Sequence, residues 1–158
     1  MAEKQVREVE EQLVVFELSG EYYGVNIASV QEIIRLPAIT AVPRAPEYVQ
    51  GVINLRGRVI PVVNLHIRFG LPGEAGEATR ASRIVVLEIE GHTIGAAVDA
   101  VSEVLRIPQS IIEPPGATLD GEDTRHLRGI ARLGERLVVL LDLSYLIRPQ
   151  EIAAEMAA

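Results

Sequence analysis

An internal repeat limits the folds that this chain can adopt. Residues 16–37 read FELSGEYYGVNIASVQEIIRLP, and residues 87–108 read LEIEGHTIGAAVDAVSEVLRIP. Aligned without gaps, the two segments share identical residues at the following positions: Glu17 and Glu88, Gly20 and Gly91, Gly24 and Gly95, Val30 and Val101, Glu32 and Glu103, Arg35 and Arg106, and Pro37 and Pro108. Chance would give roughly one or two identities over such a window. The chain is therefore a duplication, and its fold must accommodate two copies of one unit.

Each copy predicts three short strands, because β-branched residues alternate with polar ones between glycine-containing turns. The predicted elements of the first and second copies are strands at 13–18 and 84–89, strands at 22–27 and 93–98, single helical turns at 28–32 and 99–103, and strands at 33–36 and 104–107. The last strand of each copy ends near a proline, which cannot donate to a ladder. We interpret Asp99 as the N-cap of its helical turn.

A β-hairpin follows each copy. Residues 51–65, GVINLRGRVIPVVNL, place two apolar runs on either side of a tight turn with Arg56 and Gly57 at its tip. Glycine supplies the positive φ that such a turn needs. A weaker version of this hairpin occurs at residues 129–141. With these hairpins, each half of the chain has about five strands, a number typical of small barrels, which leave few exposed edges.

The remaining segments connect these units. Residues 71–82 predict a flexible connector, and residues 113–124 an irregular region. Short helices are expected after Asn64 and Asp142, which are good N-caps. Residues 149–158 predict a C-terminal helix that begins at a proline.

Composition excludes several classes of function. The chain of 158 residues has no cysteine, so disulfides, thiolate nucleophiles and cysteine-based zinc sites are absent. Its net charge of −7 repels nucleic acid phosphates. The N-terminus has no apolar core of a signal peptide, and no apolar run approaches the length of a membrane span. We expect a cytoplasmic protein without direct membrane insertion.

No catalytic, metal or cofactor site is evident from spacing. The three histidines, His66, His92 and His126, do not have metal-ligand spacing. An acidic loop at residues 120–123 does not follow the EF-hand pattern, and we interpret it as a solvated loop. Arg56 is the most interesting polar residue, since Asn54 and Arg58 flank it at the tip of a hairpin with little core to pack against. A solvent-exposed turn arginine and a partner-binding arginine are both compatible with this setting.

The sequence resembles the CheW family of bacterial chemotaxis adaptors, which is related to the regulatory domain of the histidine kinase CheA. The resemblance rests on residues 23–27 (YGVNI) and 30–33 (VQEI), and above all on residues 51–57 (GVINLRG) and 60–65 (IPVVNL). It extends from about residue 13 to residue 147. Asn64 stands where the family frequently has Asp.

The resemblance implies a mainly β fold with two intertwined five-stranded SH3-like barrels around a shared hydrophobic core. The whole chain would form a single domain, with a first barrel at 13–70, the connector at 71–82, a second barrel at 83–148 and a tail at 149–158. The resemblance implies no catalysis and no cofactor. The protein would be a monomer in isolation that couples the cytoplasmic tips of methyl-accepting chemoreceptors to CheA, and that becomes multivalent in membrane-associated arrays.

The same resemblance assigns roles to individual residues. Those expected to bind the receptor are Arg56, Asn54, Gly57, Gly51 and Val30. Those expected to bind the kinase regulatory domain are Glu32, Ile33 and Ile34. A further ring contact is expected at Thr118 and Leu119.

Three alternatives remain open at the level of sequence. The chain could be a scaffold of the same fold in a non-chemotaxis two-component pathway, such as motility or surface sensing. It could be a piece of CheA or of a receiver fusion, although the initial Met and the short tail favour a free-standing adaptor. A small-ligand-binding or hydrolytic barrel would need a convergent set of acidic or histidine groups.

Overall fold

The computed structural model describes residues 9–73, 77–114 and 127–143. Eleven strands are present in these ranges, together with one short helix and two 3-10 turns. The strands are β1 (Glu10–Leu18), β2 (Glu21–Asn26), β3 (Val30–Arg35), β4 (Val49–Leu55), β5 (Arg58–Val63), β6 (Arg83–Ile89), β7 (His92–Val98), β8 (Ala100–Pro108), β9 (Ile112–Glu113), β10 (Leu127–Leu133) and β11 (Arg136–Leu141). Helix α1 is Leu65–Phe69, and the 3-10 turns are Ile27–Ser29 and Gln109–Ile111. The fold is mainly β, as predicted.

The two halves of the chain exchange strands. One sheet has six strands in the order β8-β1-β2-β11-β10-β9, and the other has five in the order β3-β6-β7-β5-β4. The six-stranded sheet therefore combines the first hairpin of the chain with the strands that follow β7. The expected barrel boundaries at residues 13–70 and 83–148 differ from these sheets, because sequence halves and sheets do not coincide.

Parallel ladders join the exchanged strands, and a glycine of the repeat lies in each ladder. Gly24 of β2 pairs with Leu140 of β11, and Gly95 of β7 pairs with Val62 of β5. A Cβ at Gly24 would lie 3.0 Å from the Leu140 side chain, and one at Gly95 would lie 2.9 Å from the side chain of Ile84. Gly24 thus allows the exchanged strand β11 to pack closely against β2, and Gly95 makes room for the side chain of Ile84 on its hairpin partner β6.

Three apolar clusters hold the sheets. The shared core lies between them and contains Phe16, Tyr23, Val85 and Leu87 among its buried members. A first inner core in the five-stranded sheet contains Ile53, Ile60, Val62, Ile84 and Val86. A second inner core in the six-stranded sheet contains Leu13, Val15, Ile107, Ala131, Val138 and Leu140. Both faces of the central strands are therefore buried, which explains their nearly continuous apolar sequences.

Each sheet curls so that its edges approach each other. Strands β8 and β9 are opposite edges of the six-stranded sheet, yet only the three-residue 3-10 turn Gln109–Ile111 separates them in sequence. In the five-stranded sheet, the segment after β3 reaches β4 through an isolated bridge between Thr40 and Val52. Within the described residues, no continuous ladder joins the edge strands of either sheet.

The helical prediction at residues 99–103 is wrong. Strand β8 begins at Ala100 and pairs with β1. Asp99 caps no helix, because its backbone N–H donates to Glu17 O at 3.0 Å and its carboxylate accepts from Ser19 N at 2.7 Å. In the first copy, the predicted turn at 28–32 is shorter and earlier, at Ile27–Ser29.

The predicted helix after Asn64 is confirmed as α1, with Asn64 Oδ1 accepting from Ile67 N at 3.2 Å. The C-terminal helix at 149–158 and most of the predicted helix after Asp142 lie outside the described residues. Among the described helices, none has the length and apolar character needed to cross a membrane.

Candidate functional site: the β3 strand and the β4–β5 hairpin

The β4–β5 hairpin ends in a two-residue turn at Arg56 and Gly57. Their φ angles are +52° and +85°, so both residues adopt the left-handed conformation of a type I′ turn. Asn54 Oδ1 accepts a hydrogen bond from Gly57 N at 2.8 Å and fixes the turn. Gly57 meets the expectation of a positive φ. The left-handed conformation of Arg56 was not predicted and is unfavourable for a residue with a Cβ.

The Arg56 guanidinium forms a bidentate ion pair with Glu32 on β3. Nη1 donates to Glu32 Oε1 at 3.1 Å, and Nη2 donates to Oε2. The side chain of Arg56 remains 69% exposed, and that of Glu32 is 29% exposed. The hydrogen bonds from Arg56 to Glu32 raise the pKa of the guanidinium above its ordinary value. This contact links the two edges of the curled five-stranded sheet.

The second half of the molecule repeats this arrangement. Arg136, at the start of β11, donates to Glu103 on β8, and Glu103 is the repeat equivalent of Glu32. The Arg136 guanidinium also lies over the Tyr22 ring, 4.9 Å from its centroid. A hairpin arginine thus contacts the third strand of the repeat in both sheets, but only Arg56 projects from the turn itself.

Strand β3 presents different residues on its two faces because of a β-bulge. The bulge lies between Val30, which pairs with Leu87, and Glu32, which pairs with Val86. Val30 packs against the shared core, and Ile34 packs against the first inner core. A matching bulge occurs where β1 pairs with β8, at the register shift between Val15 and Phe16.

Ile33 differs from its neighbours on β3. It pairs with Val85, a buried residue of the shared core, yet it is itself 38% exposed because β3 is an edge strand. The expected kinase-contact residues therefore do not share a face: Ile33 points outward, whereas Glu32 and Ile34 point toward the inside of the curled sheet.

Gly51 lies beneath the site. A Cβ at this position would be 2.3 Å from the backbone oxygen of Thr40. That oxygen accepts from Val52 N at 2.8 Å, and Thr40 N donates to Val52 O at 2.9 Å. Gly51 is buried and permits this close approach of two backbone segments.

A cleft of about 300 Å³ opens between the two sheets next to this site. Its lining includes Ser29, just before β3, and Glu88 on β6. Glu88 Oε2 accepts from Gln31 Nε2 at 2.8 Å. Strand β3 therefore makes polar contacts both with the hairpin tip, through Glu32, and with the rim of the cleft, through Gln31.

A hydrolytic site is the alternative to a binding surface, and Ser19, His66 and Asp99 are the residues that come nearest to one. Ser19 Oγ lies 3.4 Å from His66 Nε2. However, the Asp99 carboxylate binds the backbone of Ser19 rather than the imidazole, and His66 Nδ1 is buried without a hydrogen-bond partner in the part of the chain that the structure describes. The carboxylate that would orient the imidazole in a catalytic triad is therefore directed elsewhere.

Comparison with known proteins identifies the family. The model of the CheW-like domain matches residues 12–151. A chemotaxis protein CheW of Treponema pallidum is 33% identical over 89% of this chain and 84% of its own length. A chemotaxis protein CheW of Klebsiella aerogenes is 32% identical over 92% of this chain and 86% of its own length. The chain belongs to the CheW family.

A solved CheW structure supports this assignment at the level of the fold. The scaffolding protein TtCheW from Thermoanaerobacter tengcongensis superposes with a TM-score of 0.79 and is 38% identical, covering 90% of this chain and 91% of that chain. CheW proteins are chemotaxis coupling adaptors and scaffolds, and this chain shares that function.

The structure brings together most of the residues expected from the CheW resemblance. Arg56, Asn54 and Gly57 form the turn, and Arg56 contacts Glu32. Gly51 is buried, and Val30 is half-buried. Thr118 and Leu119 lie outside the described residues.

Sequence reasoning missed an exposed apolar residue beside the turn. Val59 on β5 is 71% exposed, and its repeat equivalent Leu137 is 51% exposed. Alternation along β5 places Val59 on the same face as Val63, which is buried in the shared core, so the sequence pattern alone did not indicate that Val59 is exposed.

Proposed function

We propose that this CheW-family protein is a non-enzymatic adaptor that couples chemoreceptor cytoplasmic tips to the regulatory domain of the kinase CheA. It works in the cytoplasm and is recruited to membrane-associated receptor arrays. Each contact is modest, and the array supplies strength through multivalency.

The conformation and exposure of Arg56 are the observations that support this proposal most directly. The residue occupies an unfavourable left-handed conformation, is exposed and forms an ion pair at the surface. Surface ion pairs contribute little to stability, so stability does not explain an arginine at this position. An exposed arginine held in one orientation is instead suited to anchor a partner.

The proposed contacts are adjacent on the molecule. The receptor would bind the hairpin of Asn54, Arg56 and Gly57, where Gly51 supports the backbone and Val30 packs against the shared core at the start of β3. The helical receptor tip would lie across this hairpin and the mouth of the neighbouring cleft. The kinase regulatory domain would bind β3 through Glu32 and Ile33, with Ile34 fixing the strand from inside. The second ring contact would involve Thr118 and Leu119.

The ion pair between Arg56 and Glu32 joins these two contacts physically. A receptor that engages the guanidinium changes the surroundings of Glu32 without any larger movement of the sheet. This provides a direct route by which receptor state reaches the kinase-binding strand.

The first experiment is a titration against the isolated regulatory domain of CheA from the same genome. We expect saturable one-to-one binding that is weakened at least about tenfold by Ile33→Glu, because this change places a charge at an exposed apolar contact. Val9→Glu is the control, since Val9 is also exposed but lies outside β3. Absence of binding at tens of micromolar would reject the proposed kinase partner.

The receptor contact requires a reconstituted array of receptor, kinase and adaptor. Arg56→Ala is expected to leave the fold intact and to weaken the kinase response to receptor. Arg132→Ala is the matched control, because Arg132 is 67% exposed and pairs with Glu113 at 3.4 Å. An unchanged kinase response with Arg56→Ala would contradict the assignment of the hairpin.

A further inference from the structure

Three arginines gather at one end of the five-stranded sheet. Arg35 at the end of β3 is the direct cross-strand partner of Arg83 at the start of β6. Arg83 Nη1 donates to the backbone oxygens of Arg80 at 2.7 Å and of Ser82 at 2.8 Å, so its guanidinium folds over the turn that carries Arg80. We call Arg35, Arg80 and Arg83 the arginine cluster.

The charges of the arginine cluster are not neutralised by the described part of the chain. None of the three arginines forms an ion pair with a described carboxylate, whereas Arg56, Arg128, Arg132 and Arg136 all do. Like charges directly opposite each other in a sheet are destabilising. The chain carries a net charge of −7, so a concentration of positive charge is a local feature and not a consequence of overall composition.

The repeat shows that the arginine cluster belongs to one sheet alone. Arg35 has an arginine equivalent, Arg106, on β8. At the position of Arg83, however, the second sheet has Gln12, which pairs with Arg106, and the repeat equivalent of Arg80 is Val9. The two ends of the duplicated molecule therefore differ in charge.

The arginine cluster also adjoins an exposed apolar residue. Ile33 lies two residues before Arg35 on the same face of β3, and β3 is an edge of its sheet. An apolar centre flanked by arginines is the composition of a protein-binding surface.

We propose that the arginine cluster receives carboxylates of the CheA regulatory domain when that domain covers Ile33. The cluster then selects the end of the adaptor at which the domain docks, because the equivalent positions of the other sheet carry one arginine, Arg106, instead of three. This inference rests on the proposed binding of the kinase to β3. Charges at the rim of an interface act mainly on association rate and salt dependence.

The test is a titration of the CheA regulatory domain from the same genome at about 20 mM and about 300 mM NaCl. Over this range of salt concentration the Debye screening length shortens severalfold. For the unmodified protein, we expect affinity to fall about tenfold or more with salt. The double variant Arg35→Gln and Arg80→Gln is expected to bind about tenfold more weakly at low salt and to lose most of the salt dependence.

A control variant with the same change in net charge separates the cluster from bulk electrostatics. Arg44→Gln combined with Arg106→Gln removes two exposed arginines elsewhere, and it is expected to retain the affinity and salt dependence of the unmodified protein. Equal weakening by both double variants would overturn the inference, and so would unaltered binding by the cluster variant. In either case the kinase-binding proposal stands. Absence of binding by the unmodified protein at both salt concentrations would instead overturn both proposals. Thermal denaturation of each variant verifies that it is folded.

Discussion

At the scale of single residues, the most strongly buried charge in the described part of the chain is Glu11 on β1. Its carboxylate accepts from Arg128 Nη1 at 2.5 Å and Nη2 at 2.9 Å, and from Asn26 Nδ2 at 2.8 Å. The Glu11 side chain is 3% exposed, whereas that of Arg128 is 34% exposed. This network connects β1, β2 and β10 within one sheet, so its loss affects three strands together.

Glu11→Gln is expected to lower the free energy of unfolding by about 2–3 kcal/mol, because it leaves a partly buried guanidinium without its carboxylate. Urea denaturation at neutral pH measures this change. The neighbouring exposed Glu10→Gln should remain within about 0.5 kcal/mol of the unmodified protein. A similar effect of both substitutions would show that the network contributes little.

Acidic pH should remove the same contribution of Glu11 to the free energy of unfolding. The hydrogen bonds from Arg128 lower the pKa of the Glu11 carboxyl below its ordinary value, and burial only partly opposes this shift. A depressed pKa in the folded state means that the stabilisation is fully present above the ordinary pKa of 4.5 and is lost as pH falls through the lower folded value. Unfolding free energies measured from pH 6 downward should therefore converge for Glu11→Gln and the unmodified protein. A difference independent of pH would contradict this reasoning.

At the scale of elements, three hairpin turns that end in glycine share the same backbone conformation but differ in the residue that precedes the glycine. Ser19 and Gly20, Arg56 and Gly57, and Glu90 and Gly91 all have positive φ angles. Asparagine is the preferred residue before glycine in such turns. Arginine at position 56, like Ser19 and Glu90 in the other two turns, is therefore less favourable for turn formation than asparagine would be.

Arg56→Asn is accordingly expected to leave the denaturation midpoint unchanged or to raise it, while receptor coupling is lost with the guanidinium. Thermal denaturation and the reconstituted kinase assay, applied to the same preparation, separate the two effects. A lower midpoint together with normal coupling would show that Arg56 serves the hairpin and not a partner.

The elements themselves were largely predictable from sequence, since alternation and turn residues are local signals. The strand expected at residues 84–89 is observed at Arg83–Ile89. The interpretation of Asp99 failed because its partners, Glu17 and Ser19, are distant in the chain. The ion pair of Arg56 with Glu32 was also hidden, because it depends on the curl of the sheet that brings its two edges together. Its two residues were nevertheless both identified.

At the scale of the whole molecule, strand exchange makes the halves dependent on each other. Neither half contains all the strands of a sheet, and the shared core needs residues from both. Fragments divided at residue 75 should each be unfolded by far-UV circular dichroism and should regain β structure on mixing. A fragment that folds alone, with a cooperative thermal transition, would show that the exchange is not required for stability.

Strand exchange also has a consequence during synthesis on the ribosome. Strand β2 leaves the ribosome early, but its parallel partner β11 follows roughly a hundred residues later, which corresponds to about 5–20 s of translation. Until β8 is synthesised, the apolar first hairpin has neither neighbour of its final sheet, and until β11 follows it still lacks one of the two. The nascent chain is then open to pairing with other chains, so aggregation should depend on the speed of translation.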